Sequence, residues 1–268
     1  MFSGCSDITE IDLSRMDTSK IIDMKYMFSG CSSLTSLNFP SNFDTSKVTN
    51  MRNMFSNCIS LTSINLFYFN TSSAKTMEDM FYNCSSLTEL DLSSFDTSHV
   101  TIMYEMFSRC RNLTSINLSS FKTTSCWGMT ALFSGCSSLT SLNLSNFNTK
   151  RVSTMSSMFS GCSSLISLDL SNFDTSKLSD TFCMFSGCSS LISLNITSFS
   201  MSGVEVMTAM FSGCSSLTSL DLSNFETNKK PHMDSMFKNC INLEYINLKK
   251  LRFLISMIAQ VMIICSIM

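Results

Sequence analysis

Apolar residues follow two rhythms along this chain, and the two alternate. One is L-x-x-L-x-L, as in Leu191, Leu194 and Ile196, where apolar and polar residues take turns. That is the pattern of a strand with one buried face. It recurs as Leu34/Leu37/Phe39, Leu61/Ile64/Leu66 and Leu87/Leu90/Leu92, and runs on to Leu243/Ile246/Leu248. The other is M-x-x-M-F-x-x-C, as in Met51/Met54/Phe55/Cys58 and Met155/Met158/Phe159/Cys162. Offsets of 0, 3, 4 and 7 put four apolar side chains on one face of a helix. Between the two rhythms stands a Phe with a turn, as in Phe43-Asp44-Thr45-Ser46 and Phe173-Asp174-Thr175-Ser176. Asp, Thr and Ser there favour a turn and a helix start. The residue before each repeat cysteine is Gly or Asn in nine of ten copies, with Arg109 the exception. Both types accept the left-handed conformation that ends a helix. Each unit therefore predicts strand, Phe, turn, short helix, stop.

The units keep a fixed period. Cys5, Cys31, Cys58, Cys84, Cys110, Cys136, Cys162, Cys188, Cys214 and Cys240 are spaced by 26 residues, except for one gap of 27 near Pro40. Such a period marks stacked repeats, whose core is buried between neighbouring rungs. The fold class expected is an α/β leucine-rich-repeat solenoid over 1–248. It has a parallel β-sheet on one face, short helices on the other, and ten rungs. A hydrophobic tail, 249–268, follows.

Composition narrows the partners. The net charge is −2 and charged residues make up 14%, with no basic patch. Nucleic acid and anionic membrane surfaces are not expected as partners on electrostatic grounds. Of thirteen cysteines, only Cys126, Cys183 and Cys265 fall outside the repeat position. Equivalent residues on stacked helices lie roughly 8–10 Å apart, beyond the reach of about 4.4–6.8 Å between the Cα atoms of a disulfide. The column is expected to be buried thiol, each a small apolar residue. No C-x-x-C occurs and histidines number two, so no zinc site is expected. The methionine stripe reads as core filling rather than a soft-metal groove. The Phe residues from Phe43 and Phe69 to Phe225 form an interior column, with Met16 in the first rung.

The string Met210-Phe211-Ser212-Gly213-Cys214-Ser215-Ser216-Leu217-Thr218-Ser219-Leu220-Asp221-Leu222-Ser223-Asn224-Phe225 resembles the BspA-like leucine-rich-repeat surface proteins. The resemblance covers residues 1 to about 248, and it implies export, display at a cell surface, and adhesion or binding of host proteins. Two features depart from it. The chain opens inside a repeat, at Met1-Phe2-Ser3-Gly4-Cys5, with no signal peptide, which suggests an internally started or clipped reading frame. After Leu248 the repeat stops, and Lys249, Lys250 and Arg252 precede sixteen uncharged residues, Phe253 to Met268. Three readings of that tail stand open: a membrane anchor of marginal length, a cap on the last rung, or the frameshifted remnant of an eleventh repeat.

The outward strand positions form the candidate binding ladder: Asp91, Asn117, Asn143, Asp169, Asn195 and Asp221. A neighbouring column runs through Glu89, Ser115, Ser141, Ser167 and Ser193. These residues either bond between rungs and keep the sheet soluble, or line a polar groove for a protein or glycan. The Asp positions alternate with Asn, and no loop supplies six oxygen ligands, so calcium is not expected. Trp127, the single tryptophan, is a contact anchor or a half-buried residue in a slot close to that of Val48 and Val100. His99 and His232 lie five units apart in turn segments, and no nucleophile or carboxylate grouping breaks the repeat as a catalytic site should. No enzyme activity, metal or cofactor is expected. Two functions remain: a surface interaction module, or a structural or decoy array without a specific ligand.

Overall fold

The computed structural model describes residues 1–227 and 229–248. They form a parallel β-solenoid. Eight three-residue strands lie on one face: β1 (Ser36–Asn38), β2 (Ser63–Asn65), β3 (Glu89–Asp91), β4 (Ser115–Asn117), β5 (Ser167–Asp169), β6 (Ser193–Asn195), β7 (Ser219–Asp221) and β8 (Tyr245–Asn247). They pair in parallel as β1–β2, β3–β4, β5–β6 and β7–β8, and equivalent residues stay in register. In each strand the central Leu or Ile points inward and its neighbours point out, as the alternating pattern requires.

Two expectations are corrected here. Ten regular rungs are not formed, because the copies at Glu10–Asp12 and Ser141–Asn143 keep the motif but make no strand. In the first rung the buried Thr18 hydroxyl has no hydrogen bond. The short helices are also absent among the described residues. In the segment Met51–Cys58, the N–H groups of Met51, Asn53, Phe55 and Asn57 donate to Thr76, Glu78, Met80 and Tyr82 of the next rung. Only the alternate N–H groups, of Met54, Ser56 and Cys58, turn back three residues within their own rung. A helix would spend every N–H inside its own segment. Here half of them bind the neighbour, so the segment is a ribbon of turns that stacks like a strand.

That ribbon needs two left-handed residues per rung. One is the predicted position before the cysteine, where even Arg109 adopts φ 62°. The other lies four residues earlier and holds Asn53, Asp79, Glu105, Ala131, Ser157, Cys183 and Ala209, at φ between 51° and 58°. A Cβ is strained in this region; the inter-rung bonds hold it there. The Met-Met-Phe-Cys offsets still bury all four side chains, because a turn ribbon and a helix place the same positions inward. Met51, Met54, Phe55 and Cys58 are each fully buried.

A second ladder runs along the solenoid at Asp23, Asn50, Thr76, Ile102, Gly128, Thr154, Asp180, Val206 and His232, each bridged in parallel to the next. His232 thus lies in a ladder, not in a turn. With hydrogen bonds between rungs on both sides, rungs repeat at the β spacing of about 4.8 Å, not the 8–10 Å expected of helices. Ring spacing agrees. The column from Phe2 through Phe28, Phe55 and Phe81 to Phe237 stacks at 5.4–6.0 Å between centroids. Each offset stack contributes about 1 kcal/mol beyond area burial.

Polar spines run through this core. Thr45, Thr71, Thr97, Thr123, Thr149 and Thr175 are buried, and each hydroxyl donates to a main-chain carbonyl 25 residues on, at 2.9–3.0 Å. Five of them also accept the N–H of that same residue at 2.7–2.8 Å. The hydroxyl thereby replaces a strand bond at the corner where the backbone turns away. The cysteines form the second spine. In the repeat column from Cys31 to Cys240, each thiol donates to the carbonyl of the Phe in the preceding rung, as Cys58 to Phe28, Cys84 to Phe55 and Cys136 to Phe107 at 3.1–3.2 Å. The expected thiol state therefore stands, but for a different reason. Rung spacing would not keep the cysteines apart; carbonyls hold the sulfurs. Burial pushes the Cys58 and Cys110 thiols up to about 12 and those of Cys84 and Cys136 well above the usual value. The expectations for the tail, 249–268, lie outside the described residues.

Two measurements check this core. Thr97→Val keeps the volume but strands one carbonyl and one N–H, and is expected to cost about 1–3 kcal/mol in urea unfolding. An unchanged midpoint would remove the threonine spine as a support. A thiol reagent added to the folded protein is expected to modify Cys5 and Cys183, the half-buried pair. The column from Cys31 to Cys214 should react only after unfolding, and rapid native labelling of it would contradict the packing.

Candidate binding face

The outward ladder is in place, and its side chains are already at work. Asp91, Asn117, Asn143 and Asp169 are exposed where each rung leaves the sheet face, as is Asp221, whereas Asn195 is half-buried. The Oδ1 atom of each accepts the N–H two residues on: Ser93 to Asp91 at 3.0 Å, Ser119 to Asn117 at 3.1 Å, Ser145 to Asn143 at 3.1 Å, and Ser171 to Asp169 at 2.9 Å. Thr197 to Asn195 at 3.3 Å and Ser223 to Asp221 at 2.8 Å complete the row. These are Asx turns, which Asp and Asn serve equally. The Asp/Asn choice is set across the rungs. Asp91 pairs with Asn117, Asp169 with Asn195 and Asp221 with Asn247, so carboxylates do not face one another. Asn117 Nδ2 donates to Asp91 Oδ1 at 2.9 Å.

The face is not flat. A depression of 610 Å³ opens across β2, β3 and β4 and is lined by Ser63, Glu89, Asp91, Ser115 and Asn117 around Ile64, Leu90 and Ile116. Two more, of 380 and 210 Å³, flank the strandless copy at Ser141–Asn143; they bring together Asn143 with Asp169 and Asn117 with Asn143. Among the described residues, no three His, Cys, Asp or Glu side chains converge as a metal-binding group. His99 Nδ1 lies 3.2 Å from the hydroxyl of its neighbour Ser98, an exposed local contact.

The opposite face holds a cluster that the sequence analysis missed. Cys126, not Trp127, fills the buried slot of Val48 and Val100. Trp127 turns outward, 41% exposed, and meets Tyr104 edge-on at 5.8 Å. Gly128 makes room for it: a Cβ there would stand 2.3 Å from Tyr104 Cε1. Nearby Arg52 pairs with Glu78 at 3.2 Å and Asp79 at 4.0 Å, and Arg109 lies 5.5 Å from the centre of the Tyr82 ring. The signal was legible as charged residues, Arg52, Glu78, Asp79 and Glu105, at positions that hold mostly small or uncharged residues in later copies, as Thr130, Ala131, Ser156, Ser157, Thr208 and Ala209.

The fold and this face define the chain as a repeat-built parallel β-solenoid with an open polar sheet face. It belongs to the family described as "Mycoplasma protein of unknown function, DUF285", whose model matches residues 1–116, 85–193 and 165–260. Among curated proteins none matches. In solved structures, the chain is similar to a leucine-rich cell surface protein from Faecalibacterium prausnitzii, at 18% identity over 87% of this chain and 78% of that one, TM-score 0.36. It is similar to a leucine-rich repeat protein from Bacteroides ovatus, at 17% identity over 94% and 76%, TM-score 0.45. A leucine-rich repeat protein of T. pallidum shares 17% identity over 68% and 78%, TM-score 0.34.

The carboxyls of the two faces respond to acid in opposite directions. Backbone N–H groups, then hydroxyls, of Ser93 and Ser171 hold Asp91 and Asp169 below the ordinary value of 3.8. Burial pushes Glu78, Asp79 and Glu105 up, against the pull of Arg52 on the first two and Arg109 on the third. A raised carboxyl takes its proton more readily when folded, so acidification through that range adds stability. A lowered one stabilises above its unfolded value, and that stability is lost as pH falls through the folded value. The thermal midpoint is expected to rise slightly as pH drops towards the ordinary Glu value of 4.5, then fall below 3.8. Asp91→Asn with Asp169→Asn should blunt the final fall. A midpoint that declines steadily from neutral pH would contradict this assignment.

Proposed function

We propose that the chain is a surface-displayed interaction module that binds a protein or glycan through its strand face. The observation that carries this reading is the face itself. Its outward side chains take no part in the core, they recur on every strand-bearing rung, and they surround three depressions in the sheet. Extended solenoid surfaces of this kind suit large ligands that make many weak contacts. The resemblance of residues 1 to about 248 to BspA-like proteins supports cell-surface display and adhesion. A second reading, a structural or decoy array without a specific ligand, is favoured by the Asx turns, because they give each ladder residue a purpose inside the fold.

Binding to a panel of immobilised matrix proteins and polysaccharides separates the two. The variants are Ser141→Lys, Ser167→Lys and Ser193→Lys, whose hydroxyls face outward and support no turn. Saturable binding that weakens at least about tenfold, 1.4 kcal/mol, supports the module. Binding that is absent throughout, or indifferent to these changes, leaves the structural array.

A further inference from the structure

One rung breaks the pattern of this face at a structural loss. After β3 to β7, and after the strandless copy at Ser141–Asn143, stands a pair of small polar residues: Ser93-Ser94, Ser119-Ser120, Ser145-Asn146, Ser171-Asn172, Thr197-Ser198 and Ser223-Asn224. The second member ties its rung to the one before. Ser94 donates to the Leu66 carbonyl at 3.1 Å, Ser120 to Leu92 at 2.9 Å, Asn146 to Leu118 at 2.9 Å and Asn172 to Leu144 at 3.0 Å. In the rung of β2 the pair is Phe67-Tyr68. Among the described residues, Tyr68 makes no such bond. The two rings stand 74% and 51% exposed, edge-on to one another at 5.1 Å. Among the described residues, this rung lacks that inter-rung side-chain hydrogen bond and leaves two rings exposed.

These rings stand three and four residues beyond Ile64, which lines the 610 Å³ depression. Exposed rings a few residues along the rung from closely spaced hydroxyls, amides and carboxylates match one ligand chemistry well. A pyranose has a C–H face that packs on an aromatic ring and a rim of hydroxyls that both donate and accept. Ser63, Ser115 and Asn117 can do the same, and Glu89 and Asp91 accept. Charge selects further. The lining carries two carboxylates and no cation, so sulfated or uronic polymers are repelled, while neutral and amino sugars are not. A peptide suits the patch less well. Its sheet face offers side chains rather than the free backbone edge that an added peptide strand needs.

We infer that Phe67 and Tyr68, with the depression lined by Glu89, Asp91, Ser115 and Asn117, form a subsite for a neutral or amino-bearing saccharide. This rests on the reading of the strand face as a binding surface and makes it specific at one rung.

The test is affinity electrophoresis of the whole chain in gels carrying mannan, β-glucan, chitosan or, as the anionic control, dextran sulfate. The comparison is Phe67→Ser with Tyr68→Ser, the residues that the rungs of β3 and β4 carry. These changes restore the ordinary pair, so the fold is expected to hold or strengthen. Retention by a neutral or amino polymer that weakens at least about tenfold in the double variant, 1.4 kcal/mol, with none by dextran sulfate, is the expected result. No retention by mannan, β-glucan or chitosan, retention that the double variant keeps, or preference for dextran sulfate would each overturn the subsite. Binding of a matrix protein that is lost in the Ser141, Ser167 and Ser193 variants, without any saccharide retention, would overturn the subsite and leave the broader reading intact.

Discussion

Every feature of this solenoid depends on main-chain hydrogen bonds between successive rungs, made on both sides of the core. On the strand side they form short parallel ladders. On the other side alternate N–H groups, such as those of Met51, Asn53, Phe55 and Asn57, reach the next rung. Both sides must then repeat at the same short distance. No helix fits that spacing, since a helix is about 10 Å across. The left-handed residues, the stacked rings and the turn ribbon all follow from this limit.

Side-chain hydrogen bonds complete the ladder where the backbone cannot. At the corner after the Phe column, the threonine hydroxyls bridge N–H and C=O groups that would otherwise be buried without partners. Thr18 shows the opposite case: in the first rung its hydroxyl is buried and unpaired. The cysteines do comparable work from the other side, giving a second donor to each Phe carbonyl. Burial of Cys58, Cys84, Cys110 and Cys136 raises their thiols above the usual value and favours the protonated form. Thirteen cysteines in a small chain therefore need not mean a disulfide framework.

The strand face inherits a constraint from the same stacking. Its Asp and Asn residues must hold the turn at the end of each strand, and only what remains of each side chain can meet a ligand. A repeat of this kind makes a uniform surface. A specific site has to come from departures: the depression across β2, β3 and β4, the strandless copy at Ser141–Asn143, and the aromatic pair Phe67-Tyr68. The Tyr104–Trp127 contact is a fourth departure, on the opposite face.

The 26-residue period, the inward Leu, Met, Phe and Cys columns and the outward Asp/Asn ladder were all legible in the sequence, because burial is written directly as residue type. The left-handed residue before each cysteine was legible too, since Gly and Asn mark it in nearly every copy. The second left-handed position was not, because Asp79, Glu105 and Ala131 carry no such mark. Nor was the difference between helix and turn ribbon: both place offsets 0, 3, 4 and 7 on one side. The Thr97 hydroxyl reads in the sequence as a local turn former, and only its partner 25 residues away reveals the spine. The sequence by itself determined which side chains face the core. Tertiary structure decided where the backbone hydrogen bonds go, because that depends on how closely the next rung can approach.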